Sequence, residues 1–253
     1  MRRLAVSALF LAAAFAAGLA RADTVKVLTT GAFKQVVLAM VPAYEARTGH
    51  RVEVVNDTAG AIVKRIAAGE TFDVLVLTPS GLAPLAKEGR VAPDSVVTLA
   101  KVAIGVAVKE GAPKPPLATV EDFKQAVLAA RKVAYIDPAA GGSSGIYLDG
   151  LFKKLGIADA VRPKAVLVPG GLVADRLVTG EADLAIHQVS EILPVAGVAL
   201  VATLPEEIQN YTTYGAALAA GSAASEPARL FLVGLAGPEG AAAVRAKGML
   251  PPK

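Results

Sequence analysis

The sequence predicts an α/β protein of two lobes, each a mostly parallel sheet flanked by helices, with a ligand cleft between the lobes. Three observations carry that expectation. Short apolar runs alternate with segments of helical period along the chain, the pattern of parallel strands joined by crossover helices. Several runs end in a small-residue turn that opens a helix: Thr29-Thr30-Gly31, Thr58-Ala59-Gly60 and Gly141 to Ser144. Those turns fall in both halves of the chain, and ligands of open α/β sheets sit outside the carboxyl ends of the strands.

The first 22 residues are expected to lie outside the fold. Arg2 and Arg3 precede an apolar run from Leu4 to Leu19, and Ala20-Arg21-Ala22 fits a cleavage site, which together describe an export signal with Asp23 as the mature start. No later apolar run is long enough, and free enough of charge, glycine and proline, to cross a bilayer. Removing Arg2, Arg3 and Arg21 leaves 23 basic against 22 acidic residues, a net charge of +1, which gives no case for nucleic acid. The chain has no cysteine, so disulfides are excluded.

Val25 to Leu28 reads as the first strand. Ala32 to Arg47 is a helix with Phe33, Val36, Val37, Met40 and Tyr44 on one face and a kink expected at Pro42. Val52 to Val55 and Asp73 to Leu77 are strands, each followed by a helix, the first ending near Ala68-Gly69 and the second opening at Thr78-Pro79-Ser80. Val102 to Val108 reads as one strand carrying the chain into the second lobe, and Gly111 to Leu117 as a proline-rich loop. There Asp122 to Ala130 is a helix, Val133 to Ile136 a strand, Ser143 to Leu155 a helix and Ala165 to Val168 a strand. Pro169-Gly170-Gly171 is expected to open a helix reaching Thr179-Gly180. Leu184 to His187, Val198 to Ala202 and Tyr211 to Ala219 are strands, and helices at Glu226 to Leu235 and Gly240 to Lys247 close the chain. No internal repeat is visible.

The stretch Tyr135 to Gly145, Y-I-D-P-A-A-G-G-S-S-G, gathers strand, glycine turn and serine-led helix start in one place. Unpaired N–H groups and the helix dipole make such a start an anion site, while an ordinary capped helix is the plainer alternative. Hydroxyls of Thr30, Thr58, Ser143 and Ser144 and backbone donors at Gly31, Gly60 and Gly171 are the candidate ligand contacts, with Ala32 and Ala59 beside them. Lys34 is the first candidate cation; Lys64, Arg65 and Arg176 lie deeper in their helices, and Gln188 and Asn210 offer neutral amides. His187, at the carboxyl end of its strand, is the leading proton carrier because histidine titrates near neutral pH; a hydrogen-bonded structural histidine is the alternative. Tyr211, Tyr214 and Glu191 rank behind it, each also readable as a core or hinge residue, and His50 reads as an exposed loop residue. No metal cluster, phosphate loop or nucleophilic triad is present in the pattern.

The stretches V-L-T-T-G-A-F, V-K-R-I-A-A-G-E-T-F-D-V-L-V-L-T and I-D-P-A-A-G-G-S-S-G-I-Y resemble the periplasmic molybdate-binding proteins of ABC importers over nearly the whole chain after residue 22. That resemblance implies the type II periplasmic binding-protein fold, with lobes at 23–102 plus 205–253 and at 103–204. It places the crossings near Lys101 to Ala103 and Thr203 to Glu206. The chain departs from that family where its oxyanion ligands belong. Ala32 stands at the first serine position, Thr58 is the lone hydroxyl of the second turn, and Gln188 replaces a late tyrosine. G-A-F-K-Q-V-V, N-D-T-A-G-A, H-Q-V-S-E-I-L-P-V-A-G-V and E-I-Q-N-Y-T resemble instead the small family of periplasmic aconitate isomerases.

Two functions follow from the resemblances. One is a cofactor-free isomerase that moves the double bond between trans- and cis-aconitate by a 1,3-proton shift, needing carboxylate donors, one proton carrier and shelter from water. The other is a periplasmic receptor handing a small carboxylate or oxyanion to an ABC permease. Both imply a small anionic ligand and a monomer, with no metal or redox cofactor required.

Overall fold

The computed structural model describes residues 22–223 and 225–252; the expected export signal lies outside them save for Ala22. The first sheet begins β1 (Thr24–Thr30), α1 (Gly31–Thr48), β2 (Arg51–Asp57), α2 (Ala59–Ala67), β3 (Val74–Leu77), α3 (Pro79–Lys87) and β4 (Val97–Val102). The chain then crosses to a second sheet built from β5 (Ile104–Lys109), α4 (Val120–Ala129), β6 (Val133–Ile136), α5 (Ser143–Lys154), α6 (Ala158–Val161) and β7 (Ala165–Val168). It continues through α7 (Asp175–Val178), β8 (Leu184–Gln188), α8 (Val189–Ile192) and β9 (Val198–Thr203). It returns as β10 (Thr212–Leu218) and ends with α9 (Glu226–Ala236) and α10 (Pro238–Ala246).

The two sheets have the same plan. Their strand orders are β2-β1-β3-β10-β4 and β7-β6-β8-β5-β9. In the first, β1 pairs in parallel with β2 and β3, while β10 is antiparallel to β3 and β4. In the second, β6 pairs in parallel with β7 and β8, while β5 is antiparallel to β8 and β9. In both, therefore, four strands run one way and the strand by which the chain arrives from the other lobe runs against them. This shared plan has no counterpart in visible sequence repetition.

Each sheet is buried on both faces, as parallel strands require. In the first lobe Val25, Val27, Val74 and Val76 face α1, α9 and α10, while Leu28, Leu75 and Leu77 face α2 and α3. In the second, Ile104, Val106, Val133 and Tyr135 face α4 and α5, while Ala134, Ile136 and Ala185 face α7 and α8. The single strand expected over Val102 to Val108 is two strands in different sheets, divided at Ala103. The helix expected from Pro169 to Gly180 is only the one-turn α7, because Gly171 takes φ +84° and an α-helix cannot include that conformation. The helix α1 continues through Pro42, which is on its exposed side, where water can satisfy the freed carbonyl.

Gln209 fastens the two crossings together. Its Oε1 accepts from Ile104 N–H at 2.9 Å, and its Nε2 donates to the Ile104 and Leu204 carbonyls at 3.0 and 3.2 Å.

Candidate active site

The carboxyl ends of strands in both sheets face one cavity of about 40 Å³. From the first lobe it is lined by Thr30, Gly31, Ala32, Asn56, Asp57, Thr58, Ala59 and Tyr214. The second lobe contributes Ile136, Gly142, Ser143, Ser144, Gly171, His187, Gln188 and Glu191. The lining comes from both lobes, so the cavity lies at the seam between them.

Local chemistry builds the cradle. Asp137 leaves β6, and its Oδ1 accepts from Ala139 N–H at 2.9 Å, which sets the turn. Gly141 follows in the left-handed region, φ +76°, and Gly142 opens α5 without a side-chain cap. Thr30 likewise opens α1 without capping it, so both helices aim unpaired N–H groups at the cavity. Thr58 does cap α2, accepting from Ala61 N–H at 3.2 Å, and its hydroxyl donates to the Ala140 carbonyl of the other lobe.

Two polar pairs close the floor. His187 Nε2 lies 3.2 Å from Glu191 Oε2, with the side chains 2% and 7% exposed. Burial lowers His187 to about 3 and raises Glu191 to about 8, so both are neutral at pH 7, and His187 lacks the near-neutral titration expected of it from the sequence. Nε2 faces Glu191 Oε2, while Nδ1 is buried and has no partner. The second pair spans the lobes: Gln188 Nε2 is 2.8 Å from the Tyr214 hydroxyl, which is 3.1 Å from Gln188 Oε1. Burial pushes the Tyr214 phenol above its ordinary value. Thr30 Oγ1 is a further buried atom without a well-formed hydrogen bond, its polar neighbour being the Tyr214 hydroxyl. Orphaned polar atoms around a cavity are places where a ligand makes the missing bonds.

The family pattern described as bacterial extracellular solute-binding protein matches residues 25–250. The chain belongs to that family. Among relatives of this solute-binding protein, an aconitate isomerase from a Pseudomonas species is 35% identical over 254 residues, spanning 98% of this chain and 95% of its own. The periplasmic molybdate-binding protein of Azotobacter vinelandii superposes with a TM-score of 0.73 at 21% identity, covering 90% of this chain and all of that one. The sulfate-binding protein SubI of Mycobacterium tuberculosis gives 0.72 at 17% identity, covering 90% and 87%. The solved structures show the fold, the type II periplasmic binding-protein architecture expected from the sequence.

Of the sequence candidates, the solute-binding protein brings together Thr30, Gly31, Ala32, Thr58, Ala59, Ser143, Ser144, Gly171, His187, Gln188, Glu191 and Tyr214. Lys34, Gly60 and Tyr211 do not line the cavity. Gly60 instead donates its N–H to the Gly141 carbonyl at 3.1 Å, at the seam between the lobes. Tyr211 sits beside the crossing, with its hydroxyl 3.3 Å from Glu206 and Lys101 Nζ 4.7 Å over its ring. Arg65 reaches Asp57 and Glu70, Arg176 pairs with Glu181, and Lys64 is exposed. His50 accepts from the Asp23 N–H, far from the cleft. Asn56, Asp57 and Ile136 were not among the candidates; their signal was their place at the carboxyl ends of β2 and β6.

Proposed function

We propose that the protein interconverts trans- and cis-aconitate by a cofactor-free 1,3-proton shift, in the periplasm. The observation that carries this reading is the buried His187–Glu191 pair at the floor of an oxyanion cradle. Burying two titratable groups is costly, and binding alone does not require a free ring nitrogen. The 35% identical aconitate isomerase supports the same reading.

In this mechanism the lobes, 23–102 with 205–253 and 103–204, close on the tricarboxylate. Its carboxylates are met by the starts of α1 and α5 and the hydroxyls of Thr30, Thr58, Ser143 and Ser144. His187 Nδ1 takes a proton from the methylene carbon. The electron pair left behind spreads over the three-carbon allylic system into the adjoining carboxylate, whose growing charge the helix starts stabilise. The same nitrogen returns the proton at the far carbon, so nothing is consumed. Exclusion of water keeps the carbanion from being quenched elsewhere.

Family membership favours a second reading, a receptor for a small carboxylate or oxyanion that docks on an ABC permease. Purified protein with trans-aconitate in chelator-treated buffer separates the two. The isomerase yields cis-aconitate catalytically, and His187→Ala lowers turnover by about 10²–10⁴-fold. A wild type that converts nothing, yet melts higher with a carboxylate or oxyanion, is a receptor.

A further inference from the structure

Glu191 belongs to the second lobe but touches the first. A Cβ built on Gly31, the opening residue of α1, would lie 2.5 Å from Glu191 Oε1. The other oxygen, Oε2, is engaged by His187 at 3.2 Å. Among the described residues no lysine or arginine lines the cavity, although the cradle is built for an anion. The other acid in the lining, Asp57, is already committed: its Oδ1 accepts from Thr58 N–H at 2.8 Å and its Oδ2 faces Arg65 at 3.4 Å. An ionised Glu191, which is buried, would set an unopposed negative charge against the bound anion. A protonated Glu191 becomes a donor through Oε1, the oxygen that His187 does not face.

We propose that Glu191 binds the ligand as a neutral carboxylic acid, Oε1 donating a hydrogen bond to an oxygen of the anion in place of a cation, so that ligand capture takes up a proton. This deepens the isomerase reading and rests on it for the ligand class. It also gives the paired groups separate tasks, Glu191 as donor to the ligand and His187 Nδ1 as proton acceptor.

The surroundings of Glu191 are consistent with the neutral form. Facing it are His187 on β8, Tyr214 on β10 and Asp57 across the cavity. The neighbouring β9 carries no titratable residue, that of β5 is Lys109, exposed at the far end, and the charges of α1 begin at Lys34, outside the lining. Burial is the cause that raises Glu191 to about 8. In an open cleft the solvated carboxyl loses its proton near 4.5, whereas the closed site keeps it to about 8. Affinity is therefore full below the lower value and falls by up to about tenfold per pH unit as pH rises towards the upper one.

The test is calorimetry with tricarballylate, a saturated tricarboxylate that cannot isomerise, at pH 7 in two buffers of different ionisation enthalpy. Wild type should take up about one proton more per ligand than Glu191→Gln, which keeps the shape but does not titrate. Equal uptake in both proteins overturns the proposal and leaves the isomerase reading standing. If tricarballylate does not bind, trans-aconitate bound to His187→Ala takes its place, and infrared spectroscopy of that complex decides the proposal. A protonated-carboxyl carbonyl band at pH 7 in that complex that is missing when Glu191→Gln is added sustains it, and a complex without that band overturns it.

Discussion

Gly60 of the first lobe and Gly141 of the second meet backbone to backbone. The Gly60 N–H donates to the Gly141 carbonyl at 3.1 Å, and a Cβ on Gly60 would lie 2.9 Å from the Gly141 Cα. No side chain can be inserted there without parting the lobes. Gly60→Ala should therefore weaken closure by about 1–3 kcal/mol and raise KM for trans-aconitate by about 5- to 150-fold. Its melting temperature should hold or rise, since alanine is the better helix former in α2. An unchanged KM would mean that the seam does not govern capture.

Thr30 offers a substitution in which stability and binding should part. Its Oγ1 is buried without a well-formed hydrogen bond, with only the Tyr214 hydroxyl nearby, so the folded protein bears much of the cost of desolvating it. Thr30→Val keeps the shape and removes that cost. The melting temperature should stay or increase while KM rises about tenfold, the worth of one hydrogen bond. Loss of stability with KM intact would assign the hydroxyl to the fold.

Tyr214 distinguishes a proton carrier from a strap. Its hydroxyl is held by Gln188 of the opposite lobe, and burial moves the phenol away from neutrality. Tyr214→Phe leaves the Gln188 amide unpaired, which should cost about 1–3 kcal/mol and lower the melting temperature by several degrees. Turnover should persist within about tenfold, measured as cis-aconitate formed. A collapse as deep as that of His187→Ala would place the proton on tyrosine instead.

The buried pair also shapes stability against pH. Glu191, raised to about 8, contributes stability fully present below 4.5 and lost as pH climbs towards 8. His187, lowered to about 3, contributes stability present above 6.5 and lost as pH falls towards 3. The two slopes cancel between 4.5 and 6.5 and show separately outside that window. Thermal melts from pH 4 to 9, with tricarballylate saturating so that the cleft stays closed, should give a plateau with a fall on either side, and Glu191→Gln should flatten the alkaline fall relative to wild type. Parallel wild-type and variant curves would mean the carboxyl is ionised in the fold.

Much of this was legible because local pattern and global fold agree. The runs Val133 to Ile136 and Ala165 to Val168 are strands at the residues expected, being apolar and bounded by turns. Strand ends also pointed to Thr30, Thr58 and His187. The split at Ala103 was not legible, since an unbroken apolar run does not record a change of sheet. Nor was the role of Glu191. The spacing from His187 to Glu191 fits one helical turn, but only once Val189–Ile192 is known to be helical. Lys34 was chosen because a tricarboxylate calls for a cation, yet it lies outside the cavity lining.

An anion gripped by helix starts, hydroxyls and a neutral acid is gripped by dipoles rather than by opposite charge. The ion atmosphere of a salt solution weakens exposed charge pairs over about 8 Å at physiological strength, but it screens buried groups much less. Capture should then be nearly indifferent to ionic strength. For a member of an extracellular family, whose medium follows the surroundings, that means the same hold on its ligand in brackish water as in rain.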